Sequence, residues 1–480
     1  MLEDIMQERR EKLSRYTKEA DPYPARVKRT VTAHEALLRF GAFLKANKTI
    51  WLTGRVMSMR DQGGIVFLHI EDKSGTIQII LRKEETKGFR VLQKTLDKGD
   101  FLEVAGKAMK TKRGEKSVLA SRARIIAKSL RPIPDSWFGL EDAETRLRKR
   151  YLDAIVHPET RELMEKKAVF WETVREFLKH ASFLEVETPV LEPIPGGAEA
   201  EPFITHHNAL DRNFYLRISL ELSLKKMLVA GLERVFEIGR IFRNEGIDRE
   251  HLQDYTQMEC YMAYADYHDM MRLTEKMFKA IVKRTCGTFT TSQGGKKVNW
   301  GTKWKSVDYY AAFKRYNGID LKSAPVESLR ARARELGIPL DASVGKGKLI
   351  DLIYKKTVRP KLVNPCFLVN PPVAIEPLAK RVPEDRDRVE RFQIVALGTE
   401  LGKGFSELND PIDQRARFEE QMALRDAGDK EAQMLDEDFI EALEYGMPPA
   451  AGFGMSERFF AVLMDKPVRE TVFFPLMRER

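Results

Sequence analysis

The sequence predicts an α+β chain, with a small all-strand barrel ahead of a larger domain of strands and helices. Three observations carry this reading. Five short runs of apolar residues crowd residues 50 to 128, a long run at helical spacing opens near residue 161, and strand-like runs return after residue 366. At 480 residues the chain is long enough for two or three domains, each with its own core.

In order along the chain, residues 1–47 form a helical extension, with Leu2, Ile5, Met6 and Leu13 on one side ahead of the breaker ADPYPARV. TIWLTGRVMSM, GIVFLHIED, TIQIILRK, DFLEVAGKAM and SVLASRARIIAK follow as strands separated by QGG, KSG, KGD and KRGE turns. Five strands in this length make 48–132 a barrel of the OB type, a fold that often binds single-stranded nucleic acid. Phe67 and His69 alternate with Val66 and Leu68, which puts Phe67 on an exposed face, with the core as the other option. SLRPIPDSWFGLED falls in a linker, 133–160, and 161–480 is the large domain. Here RELMEKKAVFWETVREFLKH reads as a helix, FLEVETPVL as a strand stopped by Pro189, DYHDMMRLTEKMFKAIVKRTCG as a helix and WKSVDYYAAFK as a strand. A mostly helical insertion, 317–365, precedes the strands CFLVNPPVAI and ERFQIVALGTELGKG.

Composition excludes several classes. With 43% hydrophobic and 32% charged residues the chain is an ordinary globular protein. No uncharged run reaches the roughly 18 residues that span a bilayer, and the charged start MLEDIMQERREKL is unlike a signal peptide, so a cytoplasmic location without membrane contact is expected. Cys260, Cys286 and Cys366 stand singly, which suits reduced structural thiols and not zinc or disulfides. The net charge is +10, and residues 50–128 hold 17 Lys and Arg against 9 Asp and Glu. That concentration is a footprint for a polyanion, or else simply a basic soluble domain.

FRNEGIDREHLQDYTQME, residues 242–259, reads as strand, loop and strand, aiming Arg243, Tyr255 and Glu259 into one cleft. Together with FLEVETP and GFGMSERFFAVLMDKPVRETVFFPLMR it resembles motifs 2, 1 and 3 of the class II aminoacyl-tRNA synthetases. PIPGGAEAEPFITHHNAL, YMAYADY and GFSELNDP extend the resemblance to the lysine-specific branch over almost the whole chain. The resemblance implies an antiparallel catalytic sheet flanked by helices, a homodimer built on motif 1, and charging of tRNA(Lys) with L-lysine through lysyl-adenylate. It also implies ATP contacts: Arg243 on the α-phosphate, Tyr255 and Arg458 on the two faces of adenine, and Glu245 and His251 on the adenine edge and outer phosphates. Glu400 and Glu407 flank the glycines of TELGKGFSE, where a hairpin would bring two carboxylates together. Spacing alone favours two solvated glutamates; the resemblance implies magnesium bridging the phosphates of ATP, the co-substrate.

A lysine ammonium needs carboxylates to offset its desolvation. Glu221 and Glu259 match the family's contacts to that ammonium, and Gly197, Tyr261 and Asn409 match further contacts to the amino acid. Arg60, Phe67 and Gln78 match anticodon contacts, with Phe67 stacking on a base. HLQDYTQME lies nearer the aspartyl version of its loop, which keeps an aspartate or asparagine enzyme as the alternative, followed by a paralogue that binds RNA without charging it. Leu220 stands where the family usually has proline, and GFGMSER is one residue shorter than the usual motif 3, so its local path is expected to differ.

Overall fold

A computed structural model describes residues 2–134, 140, 142–246, 252–340 and 344–478. The chain divides into two compact units, residues 1–146 with 151–157, and residues 147–150 with 158–480.

In the first unit the strands Ile50–Asp61, Ile65–Asp72, Gly75–Arg82, Lys116–Ala127 and Phe101–Lys110 follow one another around a closed barrel. Alternation sets its inside: Val66, Leu68 and Ile70 are buried, while Phe67 and His69 between them are half-buried on the outer side. The N-terminal helix Leu2–Thr17 lays Tyr16 into the same core. Three short helices are present: Ala33–Leu38 and Phe40–Ala46 fall within the helical extension, and Phe89–Thr95 stands between barrel strands, where the sequence reading has none. The first carries a capping box from Thr32 and Glu35.

An eight-stranded sheet forms the second unit. Its order is Lys305–Asp308, Cys366–Val369, Arg391–Ala396, Thr399–Ser406, Ala450–Ser456, Asp254–Ala263, Arg234–Phe242 and Leu184–Glu185, antiparallel except for the pair at each end. Helices Pro158–His180 and Tyr267–Cys286 cover one face, where Phe170, Val174, Met277 and Phe278 pack on Met258, Cys260, Phe392 and Phe453. Period-2 alternation turns Gln257, Glu259 and Tyr261 to the other face, against helix Glu221–Val229.

Three sequence readings change. FLEVETPVL is not one strand: Leu184–Glu185 pairs with Val235 and Phe236, and Leu191 begins a separate strand, Leu191–Glu192, against Tyr215 and Leu216. The strand at WKSVDYYAAFK stops at Asp308, whose side chain caps a helix over Tyr309–Asn317. Most consequential, TELGKGFSE contains no turn: Thr399–Ser406 is one strand, and the hairpin turn lies before it at Leu397 and Gly398. Gly402 and Gly404 are glycines because a side chain there would collide with Phe453 and Phe392, which stack 5.9 Å apart. All three cysteines are free. Among the described residues no helix is long and apolar enough to cross a membrane.

Candidate active site

The Arg234–Phe242 and Asp254–Ala263 hairpin supplies one wall. Arg243 leaves its first strand, donates to the Ile218 carbonyl at 3.3 Å and lies 5.6 Å over the Tyr255 ring. Burial pushes the Tyr255 phenol up; Arg243 and Arg458 pull it back, and Glu245 adds to the rise. Arg243, Glu245, Tyr255 and Arg458 therefore share one electrostatic neighbourhood, as the motif pattern implies. His251 lies outside the described residues. Gln253 donates to the carbonyls of Gly246 at 3.0 Å and Glu245 at 3.4 Å, tying the ends of the loop together. Leu252 packs with Ala461 and Val468 beside the helix that Arg458 opens.

The shortened motif 3 keeps its register through Gln257↔Ser456. Past that pair Glu457 donates its N–H to the Thr256 carbonyl, and its buried carboxylate accepts from the Thr256 N–H and pairs with Lys167. Gly452 and Gly454 keep their places beside Tyr261 and Glu259, where a side chain on Gly452 would strike Glu407 Oε1 and the Tyr261 ring.

Below these lies an acidic floor. Glu259 is buried and accepts from four donors: Ser219 Oγ at 2.6 Å, the Leu220 N–H at 3.0 Å, Gln257 Nε2 at 2.5 Å and Tyr261 OH at 2.7 Å. Such a cage fixes the carboxylate without a cation. Glu221 begins the Glu221–Val229 helix, 2.9 Å from where a Cβ on Gly197 would stand, which with its φ of +81° explains that glycine. One turn on, Lys225 donates to Glu221 Oε1 at 2.6 Å and pairs with Glu407. Burial raises both carboxyls and Lys225 opposes it; on balance Glu221 is pushed up to about 7 and Glu407 is also raised. Sequence reasoning missed Lys225, although Glu and Lys at i,i+4 is a legible helical pair. Asn409 is tied to Lys380 at 2.6 Å and to the Met447 carbonyl at 3.0 Å.

Glu400 and Glu407 are not joined by a hairpin. Glu400 pairs with Val395 next to the register shift, and Glu407 follows the last residue of the strand. Seven residues would put them on opposite faces; the bulge at Leu401 returns them to the same one. Glu400 accepts from Gln393 Nε2 at 2.8 Å, and between the two glutamates Glu376 binds Lys403 at 3.0 Å and Arg391 at 3.2 Å. Among the described residues no cluster of three metal-ligating side chains forms.

On the barrel, Arg60 pairs with Phe67 across the strands and holds its guanidinium 5.8 Å over that ring. His69 pairs with Gln78. Gln78 is buried, its amide donating to Glu115 at 2.8 Å and accepting from Ser117 Oγ at 2.6 Å, and Glu115 also bonds His69 at 3.1 Å. Glu115, in a segment read only as a turn, is thus part of this face.

Comparison with known proteins agrees with this geometry. Residues 142–478 match the family described as tRNA synthetases class II (D, K and N), and residues 50–126 match the OB-fold nucleic acid binding domain. Among similar proteins, the lysine–tRNA ligase of Carboxydothermus hydrogenoformans is 45% identical over 100% of this chain and 99% of its own. Those of Roseiflexus castenholzii and Moorella thermoacetica are each 44% identical, over 100% and 99% of this chain and 99% and 98% of theirs. With a catalytic domain matched from end to end and an anticodon-type barrel before it, the chain belongs to the class II tRNA synthetases of the D, K and N group.

Proposed function

We propose that the protein ligates L-lysine to tRNA(Lys) with ATP. The observation that carries this is the floor of the pocket, where Glu221, Glu259 and Glu407 are all buried and one lysine side chain, Lys225, pairs with Glu221 and Glu407 only. A substrate ammonium offsets that charge, whereas an aspartate side chain would add to it. The names of the full-length relatives point the same way.

In this reading the lysine carboxylate attacks the α-phosphorus of ATP in line, the bond to the bridging oxygen breaks, and pyrophosphate leaves. Arg243 steadies the negative charge that develops on the α-phosphate, and Tyr255 and Arg458 hold adenine between them. Glu245 and His251 bind the adenine edge and outer phosphates. Gly197, Glu221, Glu259, Tyr261 and Asn409 hold the amino acid. A hydroxyl of the terminal adenosine of tRNA then attacks the lysyl carbonyl and AMP departs. Magnesium would neutralise the phosphates, and Glu400 and Glu407 are the carboxylates that would hold it. Arg60, Phe67 and Gln78 read the anticodon. A homodimer covers the apolar residues Leu184, Val190, Leu191, Ile204 and Leu210, which are exposed in one protomer.

Amino-acid-dependent exchange of pyrophosphate into ATP tests this, comparing lysine, aspartate and asparagine with magnesium present. Exchange with lysine alone is the expected result; exchange with aspartate or asparagine and not lysine would overturn it.

A further inference from the structure

The insertion at 317–365 has no part in the reaction as derived above. It is built on two helices, Val326–Glu335 and Lys346–Thr357, followed by a short turn of helix, Arg359–Lys361. The C-terminal ends of both helices meet that of Tyr309–Asn317 at one side chain: the Asn317 amide donates to Thr357 Oγ1 at 3.0 Å and accepts from Arg332 Nε at 3.4 Å. Each of the three helices carries two cations in its last turn, and Arg359 and Lys361 follow the last of them. Lys314 pairs with Asp320, Arg332 with Glu335 and Lys355 with Asp351. Arg315, Arg334, Lys356, Arg359 and Lys361 form no ion pair among the described residues; all but Arg359 are exposed, and Arg359 Nε is buried without a hydrogen bond.

Cations at a helix C-terminus ordinarily answer the helix dipole. Three such ends carry roughly 1.5 negative charges between them, which leaves most of this group unbalanced. The group also adjoins the catalytic strand. Leu397 and Gly398 donate their N–H groups to the carbonyls of Val363 and Leu362 at 2.9 and 3.0 Å, and Pro360 lies 3.1 Å from where a Cβ on Gly398 would stand. The Arg359–Lys361 turn thus packs on the hairpin that leads into Glu400, and Tyr354 donates to Gln393, which donates to Glu400. Resting on the reading of tRNA as the substrate charged in this domain, we infer that these cations are a docking surface for the phosphate backbone of the tRNA acceptor arm. The terminal adenosine has to reach this domain in every turnover, and it brings a duplex of phosphates with it. A-form RNA is recognised through its phosphates and shape more than its bases, which suits unpaired charges set on rigid helix ends.

Charging and pyrophosphate exchange by the full-length protein, measured side by side over a range of salt, test this. The triple variant Arg334→Gln/Lys356→Gln/Lys361→Gln is expected to raise KM for tRNA(Lys) about tenfold and to reduce the slope of log KM against log salt by about 2, the share of three phosphate contacts at roughly 0.7–0.9 each. Exchange needs no tRNA, so its lysine and ATP constants should not move. Lys356→Arg/Lys361→Arg, which keeps the charge, should keep the parent's tRNA KM and slope. Alkylation of tRNA phosphates by ethylnitrosourea locates the contact: acceptor-arm phosphates that the parent protects should open in the triple variant, with protection of the anticodon arm unchanged. An unchanged tRNA KM and slope overturns the surface, as do acceptor-arm phosphates that the parent leaves unprotected. Lysine or ATP constants that rise together with the tRNA KM also overturn it, because they would show the substitutions acting through the hairpin at Gly398. Absence of lysine exchange in the parent removes the proposed function itself, whereas lysine exchange and charging that the triple variant leaves untouched remove only this surface.

Discussion

The pocket floor and the outer face of the barrel use charge in opposite ways. At the floor, carboxylates are buried and nearly every one is already bound: Glu259 by four neutral donors and Glu221 by Lys225. On the barrel the excess charge is basic, and polar contacts on its outer face are partly exposed, as with His69 and Glu115. The difference follows from the dielectric. A buried carboxylate without a partner costs several kcal/mol, so the floor must be organised before substrate comes. An exposed lysine or arginine costs little and contributes through the summed field, which salt screens.

That contrast is open to direct tests, which are given from the largest expected effect to the smallest. Arg243→Ala removes the guanidinium from the Tyr255 face and should slow lysine-dependent exchange by about 10² to 10³, the usual cost of one transition-state donor. Glu259→Gln places an amide NH₂ against donors that need an acceptor; a penalty of about 1–3 kcal/mol should appear as roughly ten- to hundredfold weaker lysine binding, read from KM in exchange. An unchanged lysine KM would mean the caged carboxylate only holds the fold. Phe67→Ala should leave exchange untouched, because that half-reaction needs no tRNA, and raise KM for tRNA about tenfold in charging assays, on the scale of one lost stacking contact. The same charging assay should weaken as salt rises while lysine KM does not, and equal salt dependence of both would erase the contrast.

The smallest effect concerns pH. Glu192 is pushed up from 4.5 to about 8 by burial, and its Oε2 has no hydrogen bond. Between those values the folded chain keeps a proton that the unfolded chain releases, so stability contributed by this residue falls as pH rises through the window. Glu192→Gln should therefore raise the thermal midpoint at pH 8 and leave it unchanged near pH 4. A variant that gains as much at pH 4 as at pH 8 would show the benefit is packing.

Much of the site was legible in the sequence because its residues lie in short contiguous motifs. Arg243, Tyr255 and Glu259 share one hairpin, and period-2 alternation alone sends Glu259 and Tyr261 to the same face. The two carboxylates of TELGKGFSE were misread because glycine has two uses, in turns and under close-packed rings, and only the rings of Phe392 and Phe453 decide between them. Glu457 belongs to the shortened GFGMSER, but its burial against Lys167 and Thr256 involves residues 290 and 201 positions away.

By itself the sequence determined the two-part α+β organisation, the five barrel strands, the basic bias and the list of residues from which the site is built. Those follow from local spacing and composition. Tertiary structure alone decided which of these groups are free and which are already bound: Gln78 tied to Glu115, Asn409 to Lys380, and Glu221 to Lys225 and through it to Glu407. Burial and partner choice depend on elements far apart in the chain, and a buried charge has no energy to assign until its neighbours are in place.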